Sequence, residues 1–226
     1  MGSLVCAETE SGPLTGLACG KSQYRTILIT DIEDYSAPYR NDSTRARMRA
    51  DLRRYLTAAL NGAGIDEWQN TMASTGDGWL ITIDPAVGKP RILGSVVDCL
   101  RAGLREQNRR VEIAERMRVR LVIHAGDMLI DQDGHFGDQL NYAFRLLDAQ
   151  ELRALLKEAS GPLLVCVSDV VFRQVVAQRH EGLDPADFDP VWLNSKRTHG
   201  LGWVRAPGES GLAARAGLLA RDTLEI

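Results

Sequence analysis

YRTILITD, residues 24–31, is a β-branched apolar run that stops abruptly on an acidic residue, Asp31. TMASTGDGWLITI, residues 71–83, places a second one, Asp77, at a glycine-flanked turn between two strand-like segments. A buried-type strand that ends on a carboxylate, beside a hairpin with another at its tip, is an arrangement that can hold two hard divalent cations over a triphosphate. Taken singly, Asp31 is an ordinary end to a strand and Asp77 an ordinary turn residue. Only their joint occurrence with further polar positions gives them meaning.

Outward from these stretches, helices and strands alternate. After the polar DIEDYSAPYRND, Asp42 or Ser43 is placed to cap a helix whose face carries Met48, Leu52, Tyr55, Leu56 and Leu60, with Gly62 and Gly64 to end it. WQNTMAS, TGDG and WLITI read as a hairpin, residues 85–90 as a loop between two prolines, and residues 92–108 as a second helix. MRVRLVIHAG is a third strand, and GDMLIDQDGHFGD is a hairpin or loop with two turn signals. Residues 139–157 have helical periodicity, with Leu140, Ala143, Phe144 and Leu147 on the apolar side. LLVCVSD, a short helix VVFRQVVAQR, and paired strands around VWLNSK and LGWVR complete the core at Pro207. Strands interleaved with helices, hairpins included, predict an α+β architecture whose sheet contains antiparallel strands and is flanked by helices. The domain is expected over residues 23–206, between a flexible leader at 1–22 and a tail at 207–226 that has the composition of a helix.

Composition narrows the classes. With 226 residues, 44% hydrophobic and 25% charged, the chain suits one domain with tails. A net charge of −3 supplies no general field for nucleic acid or anionic membrane, so neither is an expected partner. Four scattered cysteines without a CxxC pair suggest neither disulfides nor zinc, which points to a reducing cytoplasm. No stretch approaches the roughly 18 uninterrupted apolar residues of a spanning helix. GLACGKS looks like a phosphate-binding glycine loop, but it has three rather than four residues between Gly16 and Gly20 and no preceding strand.

TDIEDYS, STGDGWLITI, MRVRLVIHAG and FGDQLNYAFRLLDA occur in the order and at the separations that resemble the signature blocks of class III nucleotidyl cyclase catalytic domains, over about residues 24–205. The resemblance implies a ferredoxin-like, palm-type fold and a homodimer with composite sites. It implies conversion of a nucleoside triphosphate to a 3′,5′-cyclic monophosphate and pyrophosphate, with two Mg²⁺ or Mn²⁺ ions per site. By the same resemblance Asp31, Asp77 and the carbonyl of Ile32 are metal ligands, and the turn at Tyr35 and Ser36 receives the terminal phosphates. Arg120 is a phosphate ligand, and Asn141 and Arg145 place the ribose and stabilise the reacting phosphorus from the opposite subunit. Spacing i, i+4 puts those last two on one helix face. His124, among apolar neighbours, reads instead as a packing residue.

The chain departs from the family where purines are read. Counting back four residues from Asp77 gives Ala73, and seven from Asn141 gives Gly134; neither side chain can hydrogen-bond a base. Three readings stay open. In the first, other groups read the base, with Ser74, Thr75, Asp133 or His135 nearby; in the second, the base is a pyrimidine, UTP or CTP, as in the short stand-alone cyclases of bacterial antiphage defence; in the third, the domain binds without turning over.

Overall fold

The structure is a computed structural model that describes residues 21–132, 134–195 and 198–220. Residues 1–20, which hold most of the expected leader and the first five residues of GLACGKS, together with 133, 196–197 and 221–226, lie outside the described residues.

Strand β1 (Lys21–Ile32) is central and is buried without a break from Thr26 to Ile32, because both of its faces are covered. That explains a continuous apolar run where a half-exposed strand would alternate. Helix α1 (Asp42–Gly62) follows, then β2 (Asn70–Ser74), β3 (Gly78–Ile83) and a helix α2 (89–110) that widens to π geometry at Ile92–Val96. Next come β4 (Val119–Asp131), β5 (Gly134–Phe136), α3 (Asp138–Leu147) and α4 (Gln150–Glu158). The remainder is β6 (Leu163–Ser168), α5 (169–176), β7 (Asp189–Ser195), β8 (Thr198–Arg205) and a single turn, α6 (Leu212–Arg215). The sheet order is β2-β3-β1-β4-β6-β8-β7, with β5 added to β4. Every pairing is antiparallel except β4 with β6.

Alternation along the strands divides the core in two. Leu28, Ile32, Leu121 and Ile123 point toward α1 and α2, whereas Ile27, Ile29 and Val122 point toward α3 and α4. By the same alternation Asp31 and Arg120 belong to the α3/α4 side. No described helix is long and apolar enough to cross a membrane. Of the described cysteines Cys99 is exposed and Cys166 is buried, and both are free.

Several local expectations need correction. The cap of α1 is Asn41, whose side chain accepts the amide of Thr44 at 2.8 Å, one residue before the expected Asp42. Helix α2 starts at Lys89, with Pro90 in its first turn where a missing amide costs nothing. The single helix expected at residues 139–157 is two. Leu140, Ala143 and Leu147 define the buried face of α3, and continued at helical period that face would fall near Glu151 and Ala154. The buried residues are instead Leu152, Leu155 and Leu156, so the chain breaks at Ala149 (φ −59°, ψ 135°) and restarts with its apolar face turned back to the sheet. Among the described residues of the tail, to position 220, one helical turn forms. Gly217 at φ +69° ends it, and Leu219 then bridges Val191 on edge strand β7.

Candidate active site

The position of Asp77 depends on a missing side chain. Asp31 on β1 lies directly opposite Gly78 on β3. A Cβ on Gly78 would sit 1.7 Å from the carbonyl oxygen of Thr30 and 2.6 Å from its carbon, so only glycine permits this approach. The Thr30 hydroxyl accepts the Trp79 amide at 3.1 Å, and the amide of Ile32 donates to the Asp77 carbonyl at 3.3 Å, which pins the turn to the strand end. Gly76, at φ +99°, supplies the left-handed residue that the turn requires. Two carboxylates distant in sequence thus line one cleft of about 480 Å³, together with Ile32, Tyr35, Ser36, Thr75 and Arg120.

Arg120 faces Asp31 across the β1–β4 ladder. Its Nε donates to Asp31 Oδ1 at 2.8 Å and its Nη2 to Oδ2, a two-pronged ion pair between residues 7% and 8% exposed. Burial pushes the Asp31 carboxyl above its usual range; the Arg120 bonds oppose that rise, and the charge of Asp77 adds to it. Arg120 Nη1 is buried and has no hydrogen-bond partner. The carboxylate is therefore short of positive charge while the guanidinium is short of an acceptor.

The turn after β1 is braced from behind. The Ile32 carbonyl accepts the Tyr35 amide at 3.3 Å, Asp34 takes φ +52°, and the Tyr35 hydroxyl donates to the Arg45 carbonyl at 3.2 Å. Tyr35 thus spends its amide closing the turn, whereas Ser36 is exposed at the cleft. Arg40, 5% exposed, donates to the carbonyls of Ala114 at 3.0 Å, Glu33 at 2.8 Å and Arg116 at 3.1 Å, tying the turn to the segment before β4. No sequence signal singled Arg40 out, because one arginine among many reveals its role only through carbonyls about 75 residues away.

The opposite wall comes from α3 and α4: Phe144, Leu147, Asp148, Arg153, Leu156 and Lys157. Arg153 and Lys157, one helical turn apart, bring two more cations to the cleft, and the field of Arg153 reaches Asp31. Their i, i+4 spacing was visible in the sequence, but the assumption of one long helix hid the face on which they lie.

Other expected site residues sit elsewhere in the protomer. Asn141 and Arg145 are exposed on α3. Arg145 lines a different recess, with His124, Tyr142, Asp169 and Trp192, so one protomer does not bring it to Asp31 and Asp77. Ala73 is exposed on edge strand β2, and Gly134, at φ +138°, opens β5. Between them, His135 Nε2 lies 3.4 Å from Thr71 Oγ1, which places an imidazole near the face where Ala73 offers no polar group. His124 is the packing residue expected: 1% exposed, its ring nitrogens lie 2.8 Å from Ser168 Oγ and 2.8 Å from Gln139 Oε1. Burial pulls its pKa below the usual 6.5.

Neither a protein-family model nor any curated protein matches the chain significantly, but solved structures do. An adenylate/guanylate cyclase/hydrolase from Silicibacter pomeroyi superposes with a TM-score of 0.58 at 23% identity, covering 83% of this chain and 99% of that one. The fold is that of class III adenylate and guanylate cyclase catalytic domains. The guanylyl cyclase Cya2 gives a TM-score of 0.57 at 15% identity, over 86% of this chain and 100% of its own. The guanylate cyclase domain of a protein from Catenaria anguillulae, solved in complex with GTP, gives 0.53 at 16% identity, over 82% and 98%. The mixed open sheet with flanking helices is the cyclase arrangement.

Chemically, the cleft suits a hard cation bound to phosphate. Among the described residues no group of three or more His, Cys, Asp or Glu is arranged to hold a metal ion by itself. The protein's own share here is two carboxylates and the second lone pair of the Ile32 carbonyl. Such an all-oxygen, incomplete set fits Mg²⁺ or Mn²⁺, which take remaining ligands from substrate phosphates and water. The orphaned Arg120 Nη1 supplies a place for one of those phosphate oxygens.

Proposed function

We propose that this protein is a nucleotidyl cyclase that converts a nucleoside triphosphate to its 3′,5′-cyclic monophosphate and pyrophosphate, in a homodimer whose two sites are each shared between protomers. The observation that carries the reading is the convergence of Asp31 and Asp77 on one cleft beside a buried arginine with an unfilled donor. In the reaction the ribose 3′ oxygen bonds to the α-phosphorus, the bond from that phosphorus to the β-bridging oxygen breaks, and the 3′ proton leaves to solvent. Two divalent cations at Asp31, Asp77 and the Ile32 carbonyl would supply activation of the 3′-hydroxyl and neutralisation of the departing charge. Arg120 binds the phosphate chain through its free Nη1, and Ser36 bounds the chain's outer end. Arg153 and Lys157 draw the pyrophosphate portion toward α4. Asn141 and Arg145, contributed across the dimer, hold the ribose and the reacting phosphorus. Their location outside the cleft of one protomer supports this division.

The base is read by groups other than those at Ala73 and Gly134, and His135 with Thr71 is the polar pair nearest the vacant position. A small pyrimidine presents its edge closer to the ribose than a purine does, so the proposal extends to UTP or CTP as substrate.

Product identification by mass spectrometry, after incubation with an equimolar mixture of the four triphosphates and Mn²⁺, tests substrate and activity together. Absence of pyrophosphate release from all four would leave a binding module. Composite sites are tested by mixing Asp31→Ala and Arg145→Ala proteins. Random exchange makes half of the dimers mixed, each with one intact site, so activity returns to roughly a quarter of wild type. If subunit exchange is demonstrated and the mixture stays inactive, the sites are not shared.

A further inference from the structure

A second cavity, of about 600 Å³, lies behind α4 and is lined by five arginines: Arg101, Arg105 and Arg109 from α2, with Arg116 and Arg118 from the segment leading into β4. The first three repeat at i, i+4 and i+8, so they share one helix face as a ladder of like charges that works against the helix itself. Opposite charge nearby offsets only part of the set: Arg109 approaches Glu106 at 3.6 Å. The one acidic residue in the lining, Glu209, is already engaged: its Oε1 accepts the amides of Ser160 and Gly161 at 2.9 Å each, and its Oε2 faces Arg215 at 3.4 Å. Among the described residues the side chains of Arg101, Arg105 and Arg116 have neither a hydrogen bond nor an ion pair. Arg101 lies close against the backbone of Gly208, where a Cβ would come within 2.3 Å of its Nη2, so its guanidinium is held in the wall of the cavity.

In a chain of net charge −3, this concentration of five guanidinium groups, three of them without a partner among the described residues, is local and built into a concavity. We propose that the cavity is a binding site for a soluble oligophosphate, separate from the catalytic cleft. Guanidinium forks match phosphate oxygens two at a time, and several forks around one hollow suit a chain of adjacent phosphates better than a single anion. The hollow shape and limited volume favour a small molecule over a flat nucleic-acid or membrane surface. Arg118 links the cavity to two residues of the cleft: it donates to the carbonyls of Leu156 and of Ala159 (2.7 Å) at the end of α4 and approaches Glu33 at 3.6 Å. An occupant that engages Arg118 therefore touches the helix that carries Arg153 and Lys157.

The test is calorimetric titration of the full chain with inorganic tripolyphosphate in low salt and EDTA, a readout that needs no turnover and does not depend on the cyclase reading. Saturable binding is expected, weakened at least about tenfold in Arg105→Ala/Arg116→Ala and changed less than about twofold in Arg54→Ala, which removes an exposed arginine of α1 that lines neither cavity. A charge-keeping pair, Arg105→Lys/Arg116→Lys, should fall between and serves if the alanine pair does not fold. Competition by ATP and UTP distinguishes the source of the phosphate chain: equal displacement means that the phosphates alone are read, unequal displacement that a nucleoside is read as well. Absence of binding, or wild-type affinity in both pocket variants, overturns the proposal.

Discussion

Gly78→Ala isolates geometry from chemistry, because it alters no charged or polar side chain in the cleft. The added methyl carbon would lie 1.7 Å from the Thr30 oxygen and 3.0 Å from the Asp31 Cα, where ordinary contact begins near 3.4 Å. The atoms it meets are backbone in the middle of a paired strand, so no side-chain rotation relieves the clash. β1 and β3 must part by more than about 1 Å at the point where Asp31 faces Gly78, next to Asp77, and a displacement of that size typically costs about 100-fold in turnover. Overpacking of this kind costs about 1–3 kcal/mol in stability, each kcal/mol lowering Tm by about 2–4 °C in a domain of this size. The control is Gly76→Ala: it has positive φ but nothing within 4 Å, so it incurs backbone strain of order 1 kcal/mol without moving the strands. Pyrophosphate release and thermal melting, measured on both variants, separate the two effects. A Gly78→Ala protein with wild-type Tm and turnover would refute the claim that this contact sets the spacing of the carboxylates.

Further expectations follow from the walls of the site. Arg153→Ala and Lys157→Ala, at exposed positions, should raise KM for the triphosphate about tenfold together and shift stability by less than about 0.5 kcal/mol, checked by initial rates and denaturant titration. Arg40→Ala removes the donor shared by three backbone carbonyls and should cost about 2–4 kcal/mol, with the turn at residues 33–36 gaining hydrogen exchange before the rest of the sheet. His124 sets an acid limit. It contacts Ser168, Gln139 and the Tyr142 ring, and Asp138, Asp169, Arg145 and Arg173 line the same recess. Since burial lowers its folded pKa, the unfolded chain binds more protons below the usual 6.5, and stability falls with pH from there toward the folded pKa, at no more than about 1.4 kcal/mol per pH unit. His124→Gln should flatten that slope between pH 6.5 and 5.5 in denaturation midpoints, and an unchanged slope would assign the acid sensitivity to other groups.

What the sequence disclosed and what it withheld divide along a physical line. Segments whose burial is dictated locally were legible: the run ending at Asp31, the hairpin around Asp77, the strand carrying Arg120, and the stripe Met48, Leu52, Leu56, Leu60. Errors arose where a long-range contact decides a local conformation. The break at Ala149 exists because two apolar faces out of phase must both meet one sheet, and neither face by itself announces the other. Asn41 caps α1 in place of Asp42 because the turn that Arg40 clamps fixes where the helix can begin. Arg153 and Lys157 became cleft residues only once that break had turned α4 toward Asp31.

Asp31 and Arg120 show why this cleft is suited to a ligand that carries both signs. A buried carboxylate beside a guanidinium is tolerable when each satisfies the other, yet a single fork leaves Nη1 without an acceptor and the carboxyl pKa still raised. Adding only an anion would complete the guanidinium and worsen the field at the two aspartates; adding only a cation would do the reverse. Under the proposed function, a triphosphate arriving with divalent cations would meet both deficits at once, with phosphate oxygen at Nη1 and positive charge between Asp31 and Asp77. An apolar surround keeps the ion pair costly in the protein alone, so under that proposal the stability it withholds would become selectivity for a metal-bound phosphate chain over either component alone.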